Sequence, residues 1–175
     1  MSNVLIVLGS TRKGRVADTI LQHVQEFIAT RDDIKATVVD LKETDLPFFE
    51  NEHPPSSPDY VITDERVQNW STLVKSADSI IFITPEYNHT LSAVQKNAID
   101  TLYTEWENKP IVAVAYGWSG GSQSIDTLND ILPRLKADFK KNPAQLVFTK
   151  DLNPDGSVID QANTTEKIKA AISEI

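Results

Sequence analysis

The chain has 175 residues, of which 40% are apolar and 24% charged, and its acids outnumber its bases 25 to 17 for a formal charge of −8. This is ordinary globular composition, enough for one domain over residues 1–175 with its own core, and it excludes disorder. The acidic balance argues against a nucleic-acid partner, no apolar run approaches the ~20 residues of a membrane span, and the lack of cysteine removes disulfides, thiolate metal sites and cysteine nucleophiles.

In chain order, Val4-Leu5-Ile6-Val7-Leu8 opens as a continuous apolar strand. It has no basic lead-in and no small-residue cleavage site, so it reads as structure rather than a signal peptide, which with the missing cysteines points to the cytoplasm. Residues 16–29 follow as a helix with Val16, Ile20, Val24, Phe27 and Ile28 on one stripe, and residues 34–41 as a strand. A long loop over about 42–62 contains Pro54-Pro55-Ser56-Ser57-Pro58. Loops of that length are either binding walls or surface excursions. Residues 63–76 read as a helix, 79–84 as a fully apolar strand, 91–106 as a helix and 111–116 as a third buried strand. A helix over 123–140, a strand over 145–149 and a closing helix over 164–175 complete the chain.

Strands that are apolar on both faces and separated by helices predict a parallel sheet covered on two sides. The β–α repeats predict a doubly wound, five-stranded α/β sheet of order 2-1-3-4-5. Ligands in such folds bind beyond the carboxyl ends of the strands where strand order reverses, here between the first and third strands. The segments leaving those ends are all unusual in composition.

Gly9-Ser10-Thr11-Arg12-Lys13-Gly14-Arg15 joins the first strand to the first helix. Its glycines, hydroxyls and helix N-terminus make an anion site, and the cations suit a terminal phosphate. Without an anion those cations would oppose the helix dipole. The loop matches neither G-x-x-x-x-G-K-[ST] nor G-x-G-x-x-G, which disfavours triphosphates and pyrophosphates. Pro85-Glu86-Tyr87-Asn88-His89 stops the next strand and offers an aromatic surface and an amide to a flat heterocycle, though alone it is also a plain turn. Gly117-Trp118-Ser119-Gly120-Gly121 brings bare backbone toward a ligand, with Trp118 either lining the pocket or covering the sheet edge.

These elements, with Leu46-Pro47-Phe48-Phe49-Glu50 and Lys96-Asn97-Ala98-Ile99-Asp100, resemble the NADPH-dependent FMN reductase family, flavodoxin-like flavoproteins that include quinone, azo-dye and chromate reductases. The resemblance spans nearly the whole chain and implies a flavodoxin-like fold. It implies that Ser10, Arg12 and Arg15 hold the FMN phosphate, with Lys13 beside them. It further implies that Pro85, Glu86, Tyr87 and Asn88 wrap the ribityl chain and one side of the ring, and that Ser119, Gly120 and Gly121 meet its pyrimidine edge, with Gly117 and Trp118 also among the cofactor-binding residues. The implied chemistry is hydride transfer from NADPH or NADH to the flavin N5 and onward to a small-molecule acceptor such as a quinone, by a ping-pong cycle and with no metal. Backbone donors would stabilise charge near the ring N1 and O2. His89 either assists acceptor protonation or only borders the pocket. The family also implies a homodimer through the helix after the third strand. The sequence departs from common family versions in having Arg15-Val16-Ala17 where further Ser and Asn often stand, and in a short loop carrying Trp118.

A flavodoxin-type electron carrier shares the fold, but its phosphate loops are rich in Thr and Ser and lack arginine. A phosphoacceptor receiver needs acids at the end of the first strand, where Val7-Leu8-Gly9-Ser10 stands. A hydrolase reading fails because the glycine loop lacks the register of G-x-S-x-G.

Overall fold

A computed structural model describes all residues, Met1–Ile175. The strands β1 (Ser2–Leu8), β2 (Ile34–Asp40), β3 (Ser79–Pro85) and β4 (Pro110–Gly117) lie parallel in the order β2-β1-β3-β4. Leu8 is opposite both Asp40 and Ile83, and Pro85 is opposite Tyr116, so the carboxyl ends of these strands share one edge of the sheet. The loops after them therefore emerge side by side.

Alternate residues of each central strand serve different cores. Leu5, Val7, Ile80, Phe82, Ile111 and Ala113 face the helices α3 (Glu65–Ser76), α4 (Ala93–Asp100) and α5 (Ser122–Ile131). Val4, Ile6, Leu8, Ile81, Ile83 and Val112 face α1 (Ala17–Ile28) and α6 (Gln161–Ile172). The pleat thus sends each strand's side chains to both faces of a doubly wound sheet, as expected. β2 is largely exposed and is an edge strand.

The expected fifth strand is present as two pieces. β5 (Asp138–Phe139) pairs with the start of β4, through Pro110 and Ile111, and β6 (Ala144–Val147) pairs with its end, through Val114 to Gly117. Both run along the same side of β4, so the sheet has six strands rather than five. The break falls at residues 140–143, where Pro143 has no N–H to give to a ladder.

Two helices end earlier than their periodicity predicts. The helix expected over 91–106 covers only Ala93–Asp100, followed by a 3₁₀ turn at Thr104–Trp106. The indole N–H of Trp70 donates to Ala98 O at 2.8 Å and that of Trp106 to Ile99 O at 3.1 Å, so these two carbonyls of the last turn are satisfied without further helix. The helix expected over 123–140 stops at Ile131, because Pro133 opens a 3₁₀ turn at Pro133–Leu135 and Lys136 is left-handed at φ 59°.

The loop expected near 42–62 begins with one helical turn, α2 (Leu41–Thr44), and is pinned to α4. The Asn97 side chain donates to Pro47 O at 2.9 Å and accepts from Phe49 N at 3.1 Å, and Tyr60 OH donates to Thr101 O at 2.8 Å. No helix is long and apolar enough to cross a membrane.

Candidate functional site

The turn after β1 starts with Gly9, whose N–H donates to Ile83 O at 3.0 Å. A side chain here would meet the buried Gln95 amide, whose Oε1 lies 2.3 Å from an ideal Cβ, so any other residue forces that amide to move. Ser10 is buried with its hydroxyl 2.8 Å from Tyr87 OH. Beyond it, the N–H groups of Thr11, Arg12, Lys13, Gly14 and Arg15 have no acceptor within the chain. Arg12 and Lys13 are exposed and form no ion pair, whereas the other cation of the loop is differently placed. The Arg15 side chain is only 9% exposed. It donates to Ser10 O at 2.6 Å, to Asp40 Oδ1 at 2.7 Å, to Asp40 Oδ2, and to Asp18 Oδ1 at 3.0 Å. Burial alone pushes the Asp40 carboxyl up, but the hydrogen bonds from Arg15 and Lys42 N–H outweigh it and hold the group below its ordinary range.

The turn after β3 is a tight hairpin. Thr90 N donates to Tyr87 O at 3.1 Å, and the two central residues, Asn88 and His89, have φ of 46° and 64°. Positive φ at both positions defines a type I′ turn, in which Asn is favoured and His tolerated. Tyr87 is thereby turned back toward Ser10, while the His89 side chain stands 86% exposed with Nδ1 3.9 Å from Glu86 Oε1. Glu86 itself accepts from Ser119 Oγ at 2.7 Å and from Gln123 N at 3.2 Å, so its carboxylate fastens this turn to the loop after β4 and to the start of α5.

In that loop the glycines serve packing as well as approach. Gly121 has φ 75°, and a Cβ there would lie 2.6 Å from Ala115 Cβ, inside the sheet. The N–H of Gly120 is spent on Gly117 O at 3.0 Å, while those of Trp118 and Ser119 have no partner in the chain. The Trp118 ring is 71% exposed and packs edge-on against Phe148 at 5.6 Å.

A cleft of about 200 Å³ unites these segments. It brings together Ser10, Arg12, Arg15, Pro85, Glu86, Tyr87, Gly117 and Trp118 of the predicted residues, but Lys13, Asn88, His89, Ser119, Gly120 and Gly121 lie outside its lining. Gly14, Val16, Tyr116, Phe148 and Pro154 complete its walls, and sequence reasoning did not name them as site residues. Phe148 follows β6, so the same carboxyl-edge rule that found the other loops could have found it. That wall is held from behind by the buried Asp151, which accepts from Val147 N at 2.8 Å, Asn163 Nδ2 at 2.6 Å and Lys167 Nζ at 2.8 Å. A larger cavity of about 560 Å³ lies under the 45–64 loop between Phe48, Phe49, Tyr60 and Arg66, but its only cation, Arg66, is paired with Asp64 and Asp45. The smaller cleft has the chemistry. Unpaired N–H groups and the unpaired Arg12 suit a phosphate, and Tyr87, Trp118 and Phe148 offer flat surfaces to a heterocycle, so the donor set fits FMN.

Known proteins share this architecture and sequence. The FerB NAD(P)H:(acceptor) oxidoreductase of Paracoccus denitrificans superposes with a TM-score of 0.76 at 21% identity, covering 99% of this chain and 96% of that one, a likeness of fold. The NAD(P)H-dependent FMN reductase LOT6 of Saccharomyces cerevisiae is 37% identical over 142 residues, 75% of this chain and 73% of the relative. An NADPH azoreductase of Bacillus sp. is 30% identical over 98% of this chain and 87% of its own length. Residues 2–150 match the model of the NADPH-dependent FMN reductase family, and the chain belongs to that family.

Proposed function

We propose that this protein binds FMN in the cleft at the carboxyl edge of the sheet and uses it to oxidise NADPH or NADH at the expense of a small acceptor, a quinone, free flavin or azo compound. The observation that carries this reading is one loop with five N–H groups lacking acceptors and two exposed unpaired cations, set at a cleft with aromatic walls that Arg12 and Gly14 line. When bound, FMN supplies the two-electron chemistry, accepting hydride and passing it on. The chain binds and orients. Ser10, Arg12, Lys13 and the loop backbone take the phosphate, and Pro85, Glu86, Tyr87 and Asn88 follow the ribityl chain. Gly117, Trp118, Ser119, Gly120 and Gly121 border the ring, with the free N–H groups of Trp118 and Ser119 as its donors. Because the Ser119 hydroxyl is spent on Glu86, backbone rather than side chain does this work. His89, exposed at the tip of the turn, borders the mouth.

The test is steady-state kinetics of the FMN-loaded protein with both nicotinamides against quinones, free flavins and azo dyes. Turnover with parallel double-reciprocal lines is expected. Loaded protein that oxidises neither nicotinamide with any acceptor would instead be an electron carrier.

The same reading includes a homodimer and a cytoplasmic setting, where reduced nicotinamide is available. Phe48 and Val61 stand exposed on the loop that Asn97 pins to α4, which supports pairing through that helix. Sedimentation should give twice the chain mass of 19.5 kDa, and a species of the single mass at micromolar concentration would remove the dimer.

A further inference from the structure

We infer that Arg15 is a positioning residue that sets the shape of the phosphate loop, and that the ligand's charge is met by Arg12 and Lys13 without it. The inference rests on the FMN reading above and departs from the family expectation for Arg15. A guanidinium has five N–H donors; here four make hydrogen bonds within the chain, and the Nη2 that carries the fifth also stands at ion-pair distance from Asp18. Nε and Nη2 both lie 3.0 Å from Asp18 Oδ1, Nη1 serves Ser10 O at 2.6 Å and Asp40 Oδ1 at 2.7 Å, and Nη2 also serves Asp40 Oδ2. Every nitrogen of the group is thus already engaged by a carboxylate, which leaves a phosphate little to take. The charge is also spoken for, since one cation stands between two carboxylates, whereas Arg12 and Lys13 have no acidic partner.

What Arg15 does hold is informative. Its fork joins the carbonyl of Ser10 in the loop, the first turn of α1 through Asp18, and the end of β2 through Asp40. Asp40 in turn caps α2 by accepting from Lys42 N at 2.9 Å, and its carbonyl accepts from Thr44 Oγ1 at 2.7 Å. Pulling the Ser10 carbonyl inward turns the following peptides outward, which leaves the N–H groups of residues 11–15 free for an anion. A lysine keeps the charge but cannot span three partners with fixed geometry.

The experiment follows the guanidinium Nε–H resonances of the FMN-free protein, assigned with R12K and R15K, through titration with FMN and with riboflavin. The Arg15 signal is expected to be protected from exchange before ligand is added and to stay put with either ligand, while the Arg12 signal sharpens and shifts with FMN alone. In parallel, R15K and D40N should each lower the ratio of FMN to riboflavin affinity by about tenfold, the scale of one lost charge-assisted hydrogen bond. An Arg15 resonance that moves with FMN but not with riboflavin would make it a ligand and overturn the inference. An unchanged affinity ratio in R15K and D40N would leave it a merely structural ion pair and overturn the inference as well. Should R15K not fold, the Nε–H resonance displaced in D40N assigns Arg15 instead, and the titration of the parent chain decides. A parent that takes up no FMN would instead refute the cofactor reading itself.

Discussion

At the scale of single residues, the site depends on backbone conformations that few side chains accept. Gly121 is the sharpest case, because its φ of 75° is left-handed and the added methyl would press on Ala115 Cβ and Tyr116 N at 2.6 and 2.9 Å. G121A is expected to lower stability by roughly 2–4 kcal/mol through strain and overpacking together, read as a fall in the urea midpoint at unchanged slope. An unchanged midpoint would mean that the loop after β4 can be rebuilt freely. Asn88 and His89 show the complementary case, where non-glycine residues hold a type I′ turn and fold Tyr87 back onto Ser10. The composition of these turns was legible in the sequence, since glycine, proline and asparagine announce them. Their geometry was not. Which N–H groups stay free, and which glycine faces the sheet rather than a ligand, depends on neighbours far along the chain.

At the scale of elements, the loop after β1, the end of β2 and the first turn of α1 act as one assembly through Arg15 and Asp40. The partners are 25 residues apart, which is why the sequence shows a basic loop and not an ion pair. Asp40 titrates below its ordinary value in the folded chain, so the link stabilises the fold fully above the unfolded value of about 3.9 and loses its contribution as pH falls through the lower folded value. Urea midpoints of the parent should therefore fall more steeply below pH 4 than those of D40N. Parallel acid limbs would show that this carboxylate is unperturbed. The same distance effect explains the helix ends. The apolar stripe predicts helix to residue 106, but the indole of Trp70, 28 residues away, claims the carbonyl of Ala98, and that of Trp106 folds back onto the carbonyl of Ile99.

At the scale of the whole molecule, the strand order and the two helical layers were readable because the central strands are apolar on both faces, a pattern that only a covered parallel sheet satisfies. The broken fifth strand was not, since β5 contributes only two residues, Asp138 and Phe139, before the chain reaches Pro143. The register aligns the carboxyl ends of β1, β3 and β4, and this alone brings the cationic turn, the type I′ turn and the glycine loop around one cleft. Function then follows from what that cleft grips. The most direct measurement is the affinity of the apoprotein for FMN against that for riboflavin, which differ only in the phosphate. FMN is expected to bind at least about tenfold more tightly, the preference collapsing when Arg12 and Lys13 are both replaced by alanine. Equal affinity for the two flavins in the parent chain would contradict a phosphate held by the turn after β1.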